Sequence, residues 1–594
     1  MRVADYIMQR LAQAGVRHVY LVTGRGALYL SDALARHDGL VPVSLHHEQS
    51  AAFAAVASAQ QGDPLGACLV STGCASTNAI TGVLSAWQDG LPCIFISGQN
   101  TLRETSRHTG IPLRTYGQQE ADIVALVQPI TKYARMISTA EEIVEAMETA
   151  LSLAISGRKG PVWIDVPLNL QCAQIDPQSI CAPAVAAPPL PLASEAEVVA
   201  VAQALREARR PALLIGHGVR SAGAEAELRR FMARWQVPLT YAASAPDTFG
   251  SAEPLSIGSV GAMGCSRAGN FTVQNADLLL VLGSRLNSLT TGSEFGQFAR
   301  HARVIAVDID PVEYRKEMVR VDQLVLSDLH HFLRHLNQLD PAPARAGWID
   351  KCQHWKARFA AIEPQFQCSE QVDLHALAHS LSEALPDRAR VVTDSGLVEV
   401  ILPTHLRFRE GMRCVHPASQ GAMGYALPAA IGACCASGQP TVVVVGDGSI
   451  MMNLQELETI RHRKLPIKIL VVNNNVYAII RRRQRDLFRT RVVGVDPASG
   501  VSCPDFARVA DCFGLEYHRI ERPATLDAQL RQVLERPGAV LCEVMGRPDQ
   551  GYIELGQARS VSERRFVRRP LEDQAPFLAR EDFLAEMLVE PIAQ

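Results

Sequence analysis

Two short apolar runs that each end in a polar turn set the strongest limits on how this chain folds. Residues 441–445 and 469–472 are mostly valine, isoleucine and leucine. Continuous apolar runs of this length are typical of strands buried on both faces of a parallel sheet. The first run is followed by Gly446-Asp447-Gly448 and the second by Asn473-Asn474-Asn475. The roughly 24 residues between the two turns fit one helix and one strand that crosses back to the same sheet edge.

The residues in these turns suit a metal ion that also holds phosphate. Open α/β sheets bind their ligands where parallel strands end. Gly446 and Gly448 leave room for a phosphate to approach the backbone. Asp447 and Asn474 offer the hard oxygen atoms that Mg2+ prefers, and Mg2+ usually takes phosphate oxygens as well. The two turns together predict a Mg2+ site completed by a diphosphate, although Gly-Asp-Gly alone is a weak signal.

Length and composition narrow the class of protein. With 594 residues, of which 47% are hydrophobic and 20% charged, the chain is expected to form several ordinary globular domains. The net charge of −3 gives no support for binding nucleic acid or an anionic membrane. The 14 cysteines form no Cys-x-x-Cys pair, so neither a zinc site nor a disulfide framework is indicated. No apolar run reaches membrane-spanning length and the N-terminus resembles a helix start, not a signal peptide, so we expect a cytoplasmic protein.

Two Pro/Ala-rich stretches, residues 176–193 and 340–346, interrupt the pattern and predict linkers. Each piece between them alternates short apolar strands with helices, which predicts an α/β fold of three doubly wound parallel-sheet domains. We expect domains over 1–175, 190–340 and 350–550, and a charged tail over 551–594 that wraps the surface. The predicted strands lie at 18–22, 67–70, 93–96 and 162–166, then at 212–215, 278–282 and 304–307, and finally at 391–392, 442–445, 467–472 and 540–544.

The segment from Gly446 to Asn475 resembles the signature of thiamine diphosphate (ThDP) enzymes, in which GDG precedes NN by about 25 residues. The resemblance implies Mg2+ bound by Asp447, by the Asn474 side chain and by the carbonyl of Val476. Val476 departs from the glycine that is common there, but a carbonyl ligand needs no particular side chain. The three-part layout is similar to the pyruvate oxidase and acetolactate synthase branch over nearly the whole chain. Its order is a pyrimidine-binding, a central and a diphosphate-binding domain.

Glu48 lies in the segment His46-His47-Glu48-Gln49, at the start of an alanine-rich helix. Taken alone, such a Glu is usually a favourable first-turn charge. The segment resembles the HEQ motif of acetolactate synthase-like enzymes, which implies that Glu48 shares a proton with the pyrimidine ring of the cofactor. This role requires a largely dry pocket. In the family this Glu reaches a cofactor held by a second subunit, so the resemblance implies a homodimer at least, with a homotetramer left open.

The resemblance also implies residues that cradle the cofactor. Met423, in Gly421-Ala422-Met423-Gly424, would prop the cofactor into a bent shape, and the Gly421 carbonyl would accept a hydrogen bond from it. The alternative is a packed helix start with a core methionine. The diphosphate would be held by Asp394, Ser395, Gly446, Gly448 and Ser449, with Asp394 ordering its turn more than touching phosphate.

Two turns of the middle piece, residues 283–287 and 307–311, follow strands and resemble loops that contact FAD in the family. The resemblance implies that Arg285 and Asp308 contact FAD, which is a structural passenger in the synthases. A flavin-free middle domain is the alternative.

The residues around the expected substrate pocket favour joining two carbonyl compounds over releasing an aldehyde. Simple decarboxylases of the family carry a His-His pair where Gly117-Gln118 stands and a Glu where Ile480 stands. This chain has neither proton donor, and an apolar wall protects the reacting carbon from early protonation. Gln119 is expected to hydrogen-bond a carbonyl or carboxylate of the substrate, a 2-keto acid such as pyruvate.

The acceptor is open between two compounds. The chain departs from acetolactate synthases, which place Phe at position 118 and a Trp-containing segment after NN. Several stretches resemble synthase-like enzymes of polysaccharide and O-antigen pathways, of the flavin-containing CDP-yersiniose type, which implies a nucleotide-linked keto-sugar as acceptor. The arginines at 481–483 are then a cationic rim, or else a solvated helix face. Acetolactate synthase, a flavin-linked pyruvate oxidase, a 2-keto acid decarboxylase and a non-enzymatic paralogue are the alternatives.

Overall fold

The computed structural model describes residues 1–180, 188–360, 362–555, 557–559 and 566–592. Part of the first predicted linker and part of the predicted tail therefore lie outside the described residues. Within the described part, the chain forms three six-stranded parallel sheets flanked by helices. This confirms the predicted fold class, and the strands of each sheet fall within one of the three predicted domain ranges, whose bounds stay a prediction.

The first sheet carries strands in the order β2-β1-β3-β4-β6-β5. These strands are β1 (His18–Leu21), β2 (Val41–Ser44), β3 (Gly66–Val70), β4 (Cys93–Gln99), β5 (Tyr133–Met136) and β6 (Pro161–Pro167). The α-helices of this part are Val3–Gln13, Leu28–Ala35, Glu48–Gln60, Cys74–Asn78, Ile80–Asp89, Ser106–Thr109, Ile123–Val127, Glu142–Ile155 and Leu168–Gln171.

The middle sheet has the order β12-β11-β10-β7-β8-β9. Its strands are β7 (Pro211–Ile215), β8 (Leu239–Ala242), β9 (Ser256–Val260), β10 (Leu278–Leu282), β11 (Arg303–Asp308) and β12 (Gln323–Leu326). The α-helices are Glu195–Glu207, Gly218–Ser221, Glu225–Trp235, Arg267–Asn275, Ser288–Thr291 and Leu329–Leu336, and Ala346–Arg358 follows.

The third sheet repeats the strand order of the first, as β14-β13-β15-β16-β18-β17. Its strands are β13 (Arg390–Thr393), β14 (Arg413–Val415), β15 (Thr441–Gly446), β16 (Ile467–Asn473), β17 (Glu516–Ile520) and β18 (Val540–Met545). The α-helices are Leu374–Ala384, Leu397–His405, Ala426–Ser437, Asp447–Ile450, Glu456–His462, Ala478–Phe488, Phe506–Cys512 and Pro523–Glu535. The first and third domains are thus two copies of one topology.

All the predicted strands are present, but the sequence missed β2, β5, β8, β9, β12, β14 and β17. Most of these are edge strands with partly exposed side chains, so they lack a continuous apolar run. The buried β8 and β9 carry Thr, Ser and Gly, which also break such a run. Apolar runs therefore identify most interior strands of a parallel sheet and miss its edge strands, and they also miss an interior strand such as β8 that carries polar residues.

The first and third domains share one hydrophobic core, which brings the helix that carries Glu48 against the third domain. This helix packs on Ala426–Ser437 so closely that a Cβ at Gly432 would lie 2.1 Å from the carbonyl oxygen of Ala54. The rings of Phe53 and Tyr425 meet edge to face at 5.2 Å. The alanines of both helices and Gly432 of the second allow this approach.

Part of the tail, which was expected to wrap the surface, is buried. Leu571, Glu572 and Gln574 are buried against the middle domain. Arg267, itself buried, donates to the carbonyl oxygen of Gln574 at 3.1 Å, and Gln274 donates to Glu572 at 2.6 Å. The charge of Glu572 is therefore used in a buried hydrogen bond, which composition alone does not distinguish from a solvated charge. The tail also forms the small antiparallel pairs Glu554–Leu555 with Gln574–Ala575 and Gln557–Arg559 with Phe566–Arg568, then the helix Arg580–Glu586.

A buried carboxyl in the first sheet gives a prediction about stability and pH. Burial raises the pKa of Asp165 to about 7, although Ser97 and Gln99 donate hydrogen bonds to it. Because the pKa is about 3.9 in an unfolded chain, the unfolded state ionises first and the free energy of unfolding falls as pH rises from about 4 to about 7. We expect Asp165→Asn to flatten this fall in thermal melting series, whereas the exposed control Asp38→Asn keeps it. An unchanged fall in Asp165→Asn would contradict the account.

Candidate active site

The two turns predicted to hold a metal ion lie side by side. Strands β15 and β16 are neighbours in the sheet, with Gly446 opposite Val472, so both turns follow at the same edge. Asp447 is buried and accepts hydrogen bonds from the backbone N–H of Gly448 at 2.8 Å and of Asn475 at 2.5 Å. Burial raises the pKa of Asp447, and these backbone donors oppose the shift. The turns therefore hold one buried carboxylate in a fixed direction.

The donor atoms at these turns fit Mg2+. In the second turn, the side-chain oxygen of Asn474 accepts a hydrogen bond from the backbone N–H of Val476 at 3.2 Å, which fixes the orientation of that amide. In the part of the chain that the structure describes, Asp447 forms no ion pair with a basic side chain, so its charge has no cationic partner. A carboxylate, an amide oxygen and the Val476 carbonyl are hard oxygen donors of the kind Mg2+ takes.

The glycines beside the carboxylate differ in the space around them. A Cβ at Gly446 would meet nothing within 4 Å, whereas a Cβ at Gly448 would lie 1.9 Å from the ring of Tyr477. Gly446 is thus open to a ligand, and Gly448 allows the tyrosine to close over the turn. The sequence did not single out Tyr477, nor Cys503, whose thiol lies at Asp447 and whose pKa burial raises to about 12.

Asp394 orders the neighbouring loops. It is fully buried, and burial raises its pKa to about 6 despite its hydrogen bonds. It accepts from the backbone N–H of Ser395, Gly424 and Ala426 and from the hydroxyl of Ser449 at 2.9 Å. These contacts fit the ordering role, and a direct contact of Asp394 with a cofactor stays a prediction. Ser395 is half-buried at the start of this turn.

The loop from Gly421 to Gly424 has the backbone that its glycines allow. Gly421 and Gly424 adopt φ values of +62° and +83°, which other residues rarely take. Met423 between them is half-buried, so it is not a core methionine, and it is available to contact a ligand. A Cβ at Gly424 would lie 2.5 Å from the Cβ of Met452, which explains the second glycine.

Glu48 and Gln119 lie at the corresponding edge of the first sheet. Glu48 begins its helix half-buried and accepts a hydrogen bond from the side-chain amide of Asn78 at 2.9 Å. Gln119 is exposed and has a φ of +59°. A Cβ on Gly73 would lie only 1.4 Å from the carbonyl oxygen of Gln119, so only glycine fits at position 73. The loop of Gln119 therefore rests on the loop of residues 71–78, which also carries the partner of Glu48. The sequence missed Asn78 as that partner.

The predicted FAD residues line a cavity of about 460 Å3 between the three domains. Arg285 donates to the hydroxyl of Ser419 at 2.6 Å, across to the third domain. Asp308 accepts from the backbone N–H of Asp310 at 3.0 Å, and burial raises its pKa. Among the described residues, some buried polar atoms on the cavity wall have no hydrogen-bond partner, namely Oε1 of Gln88, Oδ2 of Asp89 and both ring nitrogens of His416. The wall thus offers polar groups to a ligand.

Taken together, the structure shows an α/β protein with a buried carboxylate, Asp447, between glycine-rich and asparagine-rich turns at the edge of its third sheet, and with a second carboxylate, Glu48, at the equivalent edge of its first. None of the described helices is long and apolar enough to cross a membrane.

Comparison with known proteins identifies the family. Three thiamine pyrophosphate (ThDP) enzyme models match the chain: the N-terminal TPP binding domain at 1–126, the central domain at 198–336 and the C-terminal TPP binding domain at 394–544. The chain belongs to the ThDP-dependent enzymes.

Proteins similar to this chain include acetolactate synthases. The chain is 31% identical to acetolactate synthase isozyme 1 large subunit of Escherichia coli K12 over 550 residues, which cover 91% of this chain and 93% of that protein. It is 32% identical to the acetolactate synthase large subunit of Parasynechococcus marenigrum, over 91% and 87% of the two chains. It is 31% identical to a probable chloroplastic acetolactate synthase 2 of Oryza sativa, over 91% and 82%. The predicted resemblance is therefore confirmed at the level of the family, and the polysaccharide-pathway type stays a prediction.

Proposed function

We propose that this enzyme decarboxylates pyruvate and transfers the remaining two-carbon unit to a carbonyl acceptor, with ThDP and Mg2+ as cofactors. The first candidate for the acceptor is a second 2-keto acid. The observation that carries the proposal is that the half-buried Glu48 lies at the edge of the first sheet and the buried Asp447 lies at the equivalent edge of the third, where no basic side chain among the described residues pairs with it. Similarity to acetolactate synthases along 91% of the chain supports it.

The cofactor would be held from both ends. Asp447, Asn474 and the Val476 carbonyl would bind Mg2+, because they are the hard oxygens of the adjacent turns. Ser395, Gly446, Gly448 and Ser449 would lie along the diphosphate. Gly421 and Met423 would contact the ring end. When bound, ThDP supplies a nucleophilic carbon that accepts the electrons released as CO2 leaves.

Three side chains of the first domain then have roles of their own. Glu48 holds a proton at the pyrimidine nitrogen, and Asn78 fixes the direction of its carboxylate. Gln119 binds the substrate carbonyl or carboxylate from the loop that lies on Gly73. These groups orient the reactants and move one proton.

Two positions of the described chain that border the proposed pocket offer no free proton donor, which favours carboligation over decarboxylation to an aldehyde. The acid of the Gln119 loop is Glu120, which is buried and accepts hydrogen bonds from the backbone N–H of Ser106 and Tyr116. It is therefore engaged in holding the loop. Ile480 is apolar and half-exposed, so it cannot deliver a proton. Without a proton donor beside it, the reacting carbon is protonated slowly and can instead attack a carbonyl acceptor.

The arginine segment gives only partial support to a nucleotide-linked keto-sugar as the acceptor. Arg481 lies 3.7 Å from Asp496, and Arg482 pairs with Glu554 at 2.5 Å. Arg483 contacts the sulfur of Met263. Because two of the three guanidinium groups already face carboxylates, less positive charge is left for an anionic acceptor. We therefore rank the second 2-keto acid first and the keto-sugar second.

We further propose that the central cavity takes FAD, with Arg285 and Asp308 among its contacts. The unpartnered polar atoms of Gln88, Asp89 and His416 support a polar ligand there. The absorbance spectrum of the purified protein tests this directly, and a colourless protein would favour the flavin-free alternative. Reduction of a bound flavin by pyruvate would instead favour a pyruvate oxidase.

We also propose that the protein is a homodimer at least. Glu48 is only half-buried in the single chain, and its proposed proton role requires a dry pocket, which a second subunit would complete. Sedimentation of the holoenzyme distinguishes a dimer from a tetramer.

The acceptor is tested by product analysis. Purified enzyme with ThDP and Mg2+ is incubated with pyruvate alone, and then with pyruvate and a nucleotide-linked 4-keto-sugar, and the products are identified by mass spectrometry. Acetolactate from pyruvate alone supports the first candidate. Little product alone but a two-carbon adduct with the sugar would support the second, and free acetaldehyde in both would contradict carboligation.

A further inference from the structure

One buried side chain, Asn453, connects the Met423 loop of the third domain to the helix that carries Glu48 in the same chain. It follows the short helix Asp447–Ile450 and is 1% exposed. Its amide nitrogen donates to the Gly424 carbonyl at 2.8 Å and to Gln49 at 3.2 Å. Its oxygen accepts from the hydroxyl of Ser50 at 3.0 Å and from Gln455 at 3.1 Å. All the hydrogen-bonding capacity of this amide is therefore used, which also fixes the amide orientation.

On one side, Asn453 fixes the loop of Met423. The Gly424 carbonyl is held by Asn453, and the Gly424 N–H is held by Asp394 at 3.1 Å. Both backbone groups of this glycine, next to Met423, thus have buried partners in the third domain. A loop restrained in this way keeps Met423 in one place.

On the other side, Asn453 fixes the start of the helix that carries Glu48. Gln49 and Ser50 are the two residues that follow Glu48, and both bond to Asn453. Glu456 is fully buried and accepts from the backbone N–H of His46 at 3.1 Å, just before Glu48. Two residues of the third domain therefore hold the segment around Glu48 from both sides.

We propose that Asn453 is a positioning residue that sets the Met423 loop against the Glu48 helix, and so governs activation of the bound cofactor and not its affinity. The inference rests on the proposed function. A displacement of about 1 Å in a positioned catalytic group can cost on the order of 100-fold in rate. Because other residues are proposed to hold the diphosphate end of ThDP, we expect the affinity for ThDP to be unchanged. In the proposed homodimer each site takes Glu48 from one chain and Met423 from the other, and the loss affects both sites alike.

Three variants separate this role from a general effect on folding. Asn453→Asp keeps the shape but removes both donors. Ser50→Ala removes one of the two links to the Glu48 helix and leaves the hydrogen bonds of Asn453 to Gln49 and Gly424 in place. The control is Asn270→Asp in the middle domain, because Asn270 is equally buried and donates to Gly261 and Gln574. The control is expected to lower the melting temperature without touching the site.

The test compares cofactor activation with cofactor binding in the holoenzyme. Exchange of the C2 proton of bound ThDP for deuterium is measured by acid quench and NMR, and ThDP affinity by titration calorimetry. We expect Asn453→Asp to slow exchange by about tenfold or more and Ser50→Ala to slow it less, while ThDP Kd changes by less than about threefold. In Asn270→Asp, the C2 proton of bound ThDP is expected to exchange at the normal rate.

Two results would overturn the inference: normal exchange in both Asn453→Asp and Ser50→Ala, or a loss of affinity in proportion to the loss of exchange. Glu48→Gln is measured alongside. If exchange is slow in Glu48→Gln but normal in the Asn453 and Ser50 variants, only the role of Asn453 fails. If exchange is normal in Glu48→Gln as well, the proposed function fails with it.

Discussion

Glu48→Gln is expected to lose roughly 100- to 10,000-fold in kcat while the protein folds and binds ThDP and Mg2+ normally. Gln has nearly the same shape as Glu and still accepts the hydrogen bond from Asn78, but it cannot hold a proton at the pyrimidine nitrogen. Because the carboxylate takes no part in the metal turns, binding should not change. The measurements are kcat for pyruvate turnover, ThDP titration and circular dichroism.

The matched control is Glu195→Gln. Glu195 also stands in the first turn of a helix and is exposed, so this variant measures what a first-turn charge contributes by itself. Normal activity is expected for it. If Glu48→Gln were as active as Glu195→Gln, then Glu48 would be only a helix-terminal charge and the proton role would be wrong.

Asp447→Asn is expected to abolish retention of the cofactor. The substitution keeps the size of the side chain but removes the charge that has no cationic partner in the described chain. Loss of an outer-shell partner of a metal ligand typically costs 10- to 100-fold in affinity, and loss of a ligand charge should cost more. The readout is the Mg2+ and ThDP content of the protein after gel filtration, together with activity at rising Mg2+.

The control for this second experiment is Asp511→Asn, an exposed position of the same domain. It should retain both cofactors. Normal retention of Mg2+ and ThDP in Asp447→Asn would mean that the metal ion lies elsewhere. Asn474 and Val476 would then not be metal ligands either. Partial recovery at high Mg2+ is expected, because two of the three proposed oxygen donors remain.

The neighbouring turns could be predicted because they depend on local pattern. Residues 442–445 and 469–472 are apolar without a break, and the length between the turns fits one helix and one strand that returns to the same sheet edge. The observed pairing of Gly446 with Val472 agrees with this. A strand such as β17, with charged and exposed positions, carries no such signal, since it is buried on only part of its surface.

The contacts that complete the site are not local, and the sequence did not reveal them. Asn78 lies 30 positions from Glu48, and Asn453 lies about 400 positions from Gln49 and Ser50. Neither asparagine belongs to a spacing that physical reasoning on one sequence can interpret. The same holds for the tail, whose Glu572 and Gln574 are buried partners of the middle domain although they look like surface residues.

The central claim is a ThDP- and Mg2+-dependent reaction that removes CO2 from pyruvate and joins the rest to a carbonyl acceptor. The most direct test measures CO2 release and pyruvate consumption together, in enzyme stripped of cofactors and then resupplied with ThDP and Mg2+. With a second pyruvate as acceptor, the account predicts no release without the cofactors, and with them one CO2 for each pair of pyruvate molecules consumed, with acetolactate as product. Release of one CO2 for every pyruvate, with free acetaldehyde or acetate, would contradict it.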